Sequence, residues 1–189
     1  MNKSTARLFL ALLLLYCSAP LCAQKFALKS NLLYDLSTTF NFGAEFGLAP
    51  RWSLDLSASY NPWTFPDNRK MKHLLIQPEV RYWTCERFNG HFFGAHLLGG
   101  AFNVGGMSLP GLSNKFRYEG YAVGAGFTYG YQWMIGRRWN LETSLGLGYV
   151  NARYNIFDCI PCGKKMHSNR SKGFITPTKA AISIIYILK

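Results

Sequence analysis

From about residue 26 to the C-terminus the chain alternates apolar and polar side chains with a period of two, in runs broken by clusters of Gly, Pro and Asn. Such alternation specifies two-faced strands, because successive side chains on a strand point to opposite sides. The clearest run is Trp52 to Asn61, in which Trp52, Leu54, Leu56, Ala58 and Tyr60 alternate with Ser53, Asp55, Ser57, Ser59 and Asn61. In Tyr121 to Trp133 the odd positions carry Tyr121, Val123, Ala125, Phe127, Tyr129, Tyr131 and Trp133, and the even ones are small or polar. Further strands are expected at 26–36, 40–48, 73–83, 91–103, 139–150 and 174–188, which makes eight.

The two faces differ in charge. The apolar face of the eight strands is read as free of Asp, Glu, Lys, Arg and His, whereas the other face collects Lys29, Asp35, Glu45, Asp55, Glu79, Arg81, Glu142 and Lys179. A charge facing lipid near mid-bilayer costs roughly 2–4 kcal/mol, so a membrane sheet would be cleared of charge on one side alone. Period two also fits a soluble lipocalin-like barrel that buries its apolar face. The aromatic residues favour the membrane: Trp52, Trp63, Trp83, Trp133 and Trp139 fall at or beside strand ends, with Tyr34, Tyr60, Tyr82, Tyr149 and Tyr186 near others. Charged residues are 16% of the chain, against about 25% in soluble domains. The expected fold is therefore all-β, an eight-stranded antiparallel transmembrane β-barrel of the outer-membrane type. Connections alternate between short (49–51, 84–90, 135–138) and long (62–71, 105–120, 155–173), which places both termini in the periplasm and the long loops outside.

The N-terminus reads as an export signal, with Lys3 and Arg7 ahead of the apolar run Leu8 to Tyr16 and cleavage expected after Ala23. That assigns residues 1–23 to a signal peptide and 24–189 to the barrel. A lipoprotein processed at Cys22 is the weaker alternative, because Leu21 stands where a small residue is usual. Without Lys3 and Arg7 the chain keeps 19 basic residues (21 − 2) and 9 acidic ones. Export argues against nucleic acid as the partner of this excess. The basic run Lys164, Lys165, Arg170 and Lys172 is expected to meet the phosphates of outer-membrane lipid and lipopolysaccharide.

Inside eight strands there is room for side chains and little more, so the enclosed charges are expected to pair as a structural plug, with an ion path as the alternative. Cys159 and Cys162 bracket Ile160-Pro161 in the last long loop, and an exported chain can oxidise them to a disulfide. Zinc at this pair with His167 falls short of four ligands. Cys85 lies toward the opposite end and reads as a free thiol. His91 and His96 raise acid–base chemistry, but neither Ser108 nor Ser113 has an evident base beside it. No catalytic residue, cofactor, metal or small-molecule substrate is predicted, and no phosphate-binding Gly loop is present.

A weak repeat marks two hairpins, where Leu48-Ala49-Pro50-Arg51-Trp52-Ser53-Leu54-Asp55 is echoed by Ile135-Gly136-Arg137-Arg138-Trp139-Asn140-Leu141-Glu142. Longer stretches carry a resemblance: Lys29 to Asp35, Gly43 with Glu45, Tyr60-Asn61-Pro62-Trp63 and Gln77 to Trp83, then Cys85, Phe88, His91, Phe92, His96, Cys159-x-x-Cys162-Gly163 and Pro177-Thr178-Lys179. In these the chain resembles a Bacteroidales family of small outer-membrane barrels catalogued as domain of unknown function 3575. The resemblance covers nearly all of the mature chain and implies a cell-envelope or fimbrial context, with fimbrial or surface proteins as partners. It carries no activity. The expected role is that of a closed barrel with a structural or adhesive task at the cell surface; a narrow channel and a lipid-modifying rim enzyme are the alternatives.

Overall fold

The computed structural model describes residues 26–64, 66, 69–106, 116–158, 163 and 165–188, with backbone alone at 165–168. The chain runs β1 (Phe26–Asn31), α1 (Leu32–Leu36), β2 (Phe40–Ala49), β3 (Trp52–Asn61), β4 (Lys70–Trp83), β5 (Gly90–Gly105), β6 (Arg117–Met134), β7 (Trp139–Phe157) and β8 (Lys165–Leu188). Each strand pairs antiparallel with the next and β8 returns to β1, so the eight close a ring of hydrogen bonds. One cross-strand row runs Ala27, Glu45, Asp55, Glu79, His96, Gly126, Gly148 and Thr176. The β8 residue paired with Ala27 is Ile187, which lies 187 − 176 = 11 positions further on. One of these positions is a bulge at Thr178, where Gly146 pairs with Lys179 but Leu147 with Pro177. The remaining stagger belongs to a closed sheet whose strands tilt by about 35–45°.

The faces separate as the alternation predicts. Inward residues such as Glu45, Asp55, Glu79 and Arg81 are at most 1% exposed, while outward Phe127, Leu145 and Ile175 are 78%, 71% and 80% exposed. Outward aromatic pairs ring the short-turn end: Trp52 with Tyr82 (centroids 5.1 Å apart), Tyr131 with Trp133 (4.6 Å) and Trp139 with Tyr186 (4.9 Å). Trp63 beside Phe40 (5.9 Å), Tyr60, Tyr121 and Tyr149 mark the other end.

Several expectations change. Trp83 shares the parity of Arg81, so it turns inward, is fully buried and donates from Nε1 to Ser53 Oγ at 2.8 Å. His91 is exposed on the outer face, 2.7 Å from the Tyr129 hydroxyl and edge-on to Tyr131, because β5 points Phe92 inward rather than Phe93. Among the described residues the outward face thus carries one imidazole, at the second residue of its strand, and also Lys72 and Arg153 toward the other end. The hairpin of β7 and β8 also absorbs most of the long loop expected at 155–173: Ala152 pairs with Lys172, Tyr154 with Arg170 and Phe157 with Lys165. A transmembrane strand needs about 9–11 residues, so the 19 of β7 and 24 of β8 extend well past that length.

β1 ends at Asn31 instead of continuing to 36. The Asn31 side chain accepts from the Leu33 N–H at 3.1 Å, an N-cap that turns the chain into the helical turn α1. β8 therefore pairs with β1 only over Ser183–Leu188, and beyond it two asparagines stand in for the missing strand. Asn31 Nδ2 donates to the Ala180 carbonyl and its Oδ1 accepts from the Ile182 N–H, both at 3.3 Å. Asn41 does the same for Asn31, accepting from its N–H at 2.6 Å and donating to its carbonyl at 3.2 Å. Pro177 offers no N–H to this edge, and the Thr178 carbonyl accepts from Gln77 Nε2 at 2.9 Å.

Candidate functional site: a buried charge layer

The row that crosses β2, β3 and β4 sets Glu45, Asp55 and Glu79 side by side on the inner face. Like charges directly opposite one another destabilise a sheet, so this row requires cations close by. Arg81 supplies most of the compensation from the next inward position of β4. Its Nε donates to Glu79 (2.6 Å), Nη1 to Glu45 (3.0 Å) and Glu142 (2.7 Å), and Nη2 to Asp55 (3.0 Å) and Glu142 (3.1 Å). One guanidinium thus meets four carboxylates, a use of its fixed fork that a lysine cannot copy. Lys29 lies 2.5 Å from Glu45 and 3.3 Å from Asp55 Oδ1, and Lys179 lies 3.3 Å from Asp55 Oδ2 and 3.1 Å from Glu79. Ser53 Oγ donates to the remaining oxygen of Glu45 at 2.5 Å.

A second branch leaves Glu79 through Thr128, whose Oγ1 donates to it at 2.8 Å. With that proton committed, the hydroxyl receives from His96 Nδ1 at 2.9 Å, so Nδ1 carries hydrogen, and Nε2 is hydrogen-bonded to Thr178 Oγ1 at 2.8 Å. The bulge on β8 explains how Thr178 and Lys179, adjacent in sequence, both contribute to the interior. Glycines opposite the long side chains leave the room. A Cβ on Gly94 would stand 2.8 Å from Glu79 Cδ, and one on Gly126 would stand 2.8 Å from His96 Nε2.

Below the charges the short-turn end is closed by aromatic rings. Arg81 Cζ stacks 4.3 Å from the centre of Phe92, which packs on Trp83 at 4.9 Å. The turn between β4 and β5 folds in beneath them: Phe88, at φ 65°, is 2% exposed, and its carbonyl accepts from Asn140 Nδ2 at 2.9 Å. Phe88 also packs on Ala27 and Ile185. Above the charges a cavity of about 40 Å³ remains, bounded by Lys29, Asp55, Arg81, Lys179 and, under α1, Tyr34. A space of that size holds a few waters at most.

Seven of the eight charged residues read from the sequence therefore meet in one layer. Asp35 does not, because α1 carries it to the exposed rim, where it accepts from Ser30 Oγ at 2.9 Å and Asn41 Nδ2 at 2.7 Å. His96, Thr128 and Thr178 extend the layer, and the inward parity of His96 with Phe92 was the available signal for them. Nothing in the sequence announced Phe88, which reaches the interior from a turn.

Of the basic residues expected to meet lipid phosphates, Arg170 and Lys172 are described with their side chains. Lys172 pairs with Ala152, which is buried, and Arg170 with Tyr154, whose ring lies 5.8 Å from that of the buried Tyr118. Cross-strand partners share a face, so both cations are on the mouth-facing side of the projecting hairpin rather than on the outer side. Lys164, Cys159 and Cys162 lie outside the described residues, as do the side chains of Lys165 and His167. Cys85 is exposed with a free thiol. Among the described residues no group of three or more His, Cys, Asp or Glu is placed to hold a metal ion.

No curated protein and no solved structure matches the chain. A family model does, over residues 8–188, and the chain belongs to that family, described as a protein of unknown function (DUF3575).

Proposed function

We propose that the ring is a β-barrel of the outer membrane, reached after removal of a signal peptide, in which a sealed interior supports a structural or adhesive role at the cell surface. The observation that carries this reading is the segregation of charge: Arg81 with its four carboxylates inside, and an outer band of Phe, Leu, Ile and Ala bounded at both ends by Trp and Tyr. No described helix is long and apolar enough to cross a membrane, and a closed ring of strands is the other arrangement that can satisfy its backbone within lipid. In this reading the short turns face the periplasm and the β7–β8 hairpin stands into the medium. Outer-leaflet phosphates would then meet outward Arg153 and Lys72 rather than Arg170 and Lys172.

Cell fractionation tests the location. The protein is expected in the outer-membrane fraction and to require detergent for extraction; recovery in the soluble periplasm would replace the membrane reading with a soluble one. The interior bears on the channel alternative: a cavity of about 40 Å³ stands above packed Trp83, Phe88 and Phe92, which supports a plug. Purified protein in a planar bilayer is expected to show no unitary conductance. Regular steps altered by Glu79→Gln would reject the plug and establish a narrow channel.

A further inference from the structure

A free strand edge stands at the mouth of the ring. β8 is hydrogen-bonded to β7 down to Phe157–Lys165, but to β1 only over Ser183–Leu188. Toward the aromatic band the unmatched edge is closed by the Asn31 side chain and by Pro177, which has no N–H to leave bare. Past Ile175, which pairs with Tyr149 of the outer aromatic ring, no described strand lies along β8 on that side. Arg170 to Ile175 are all exposed, whereas Asn169, at φ 59°, donates its N–H to Asn155 Oδ1 at 3.0 Å and ends the regular edge. The edge is thus sealed at the level of the apolar band and open beyond it, where water or another chain can reach its alternating N–H and C=O groups.

The side chains along this edge are ordered. Arg170, Lys172 and Phe174 occupy alternate positions on the mouth-facing side, opposite Tyr154, Ala152 and Val150 of β7. A strand added beside β8 would set its own alternate residues against these three, because directly opposed pairs on one face interact. Two cations followed by an aromatic ring favour two carboxylates followed by an apolar side chain.

We propose that the edge of β8 from Arg170 to Ile175 binds an extended acidic segment of another polypeptide by strand addition. Acidic residues at alternate positions would face Arg170 and Lys172, and an apolar one would face Phe174. The inference deepens the cell-surface role proposed above and takes its partner to be protein, but strand addition itself does not depend on membrane insertion. Backbone pairing supplies the attachment, and the alternating side chains supply selectivity.

The probe is a synthetic peptide of about seven residues, long enough for an average strand, with Leu followed by Glu at the next two alternate positions, the order an antiparallel strand sets against Phe174, Lys172 and Arg170. Its binding to the full-length protein in detergent is read by fluorescence anisotropy, beside a peptide of the same composition in scrambled order. The ordered peptide is expected to bind, and N-methylation of alternate amides should abolish binding in one register and spare it in the other. Lys172→Glu should weaken binding about tenfold, the order expected for loss of a charge-assisted contact, and a peptide carrying Lys opposite the new Glu should recover it. Equal binding of ordered and scrambled peptides, indifference to N-methylation, or equal competition by an acidic polysaccharide would show a plain anion patch and overturn strand addition. Failure of all peptides to bind would overturn it as well. The membrane reading is judged separately by fractionation, so neither result decides the other.

Discussion

Arg81→Gln is expected to prevent the chain from forming a stable ring. Among the described residues the guanidinium is the one group that touches Glu45, Asp55, Glu79 and Glu142 together, and it is fully buried. Removing one partner from a buried ionic network leaves the others uncompensated, at a cost of about 3–5 kcal/mol. The loss should be near the top of that range, because Lys29 and Lys179 would be left to balance four carboxylates. Two controls separate charge from shape. Arg81→Lys keeps the charge but cannot span the carboxylates from 2.6 to 3.1 Å away on five separate bonds, so it should recover only part of the stability. Arg81→Gln with Glu142→Gln removes one charge of each sign and should be more stable than Arg81→Gln alone. Urea unfolding of protein refolded in vesicles, followed by the electrophoretic shift between folded and unfolded forms, gives the ranking. If Arg81→Gln unfolds at the wild-type urea concentration, the layer is not what holds the interior together.

The same layer shows how far the sequence could be read. Strand parity is local information, and it was enough to place Lys29, Glu45, Asp55, Glu79, Arg81, Glu142 and Lys179 on one face. Which of them touch depends on stagger, a property of how all eight strands close, to which a bulge at Thr178 adds one position that the alternation of β8 does not reveal. Trp83 was misplaced because its position at a strand end suggested a girdle, although its parity with Arg81 already pointed inward. Asp35 was misplaced for a different reason: Phe26, Leu28, Leu32, Tyr34 and Leu36 share a parity that reads as one apolar strand face with Asp35 on the other, and the cap made by Asn31 turns that stretch into a helix. Arg170 and Lys172 looked like loop residues because Ser, Asn, Lys and Gly are poor strand formers. Pairing with β7 overrides that preference, as context commonly does for strands.

Phe127→Arg is expected to cost stability in a bilayer and almost none in water. Phe127 points outward from the middle of β6, is 78% exposed, and lies between Ala95 and Leu147 on the neighbouring strands. In a soluble ring an arginine there would be an ordinary surface substitution, worth less than about 0.5 kcal/mol in either direction. In an outer membrane the same site lies midway between the Trp–Tyr rings, where a lipid-facing arginine costs roughly 2–4 kcal/mol. Tyr131→Arg supplies the depth control. It faces outward beside Trp133, at the end of the band, so near the interface its cost should fall to about 0–1 kcal/mol. A charge at Ala122, on the inner face of the same strand, would disturb packing and report nothing about lipid. Unfolding of the two outward variants from vesicles should therefore differ by a margin that follows depth rather than exposure, since both side chains leave the ring toward the same side. Equal and negligible effects at Phe127 and Tyr131 would mean that the apolar band faces something other than hydrocarbon. A large effect at Phe127 alone would locate the middle of the bilayer at the level of Ala95, Phe127 and Leu147, one position from the inward row that carries Glu79 and His96.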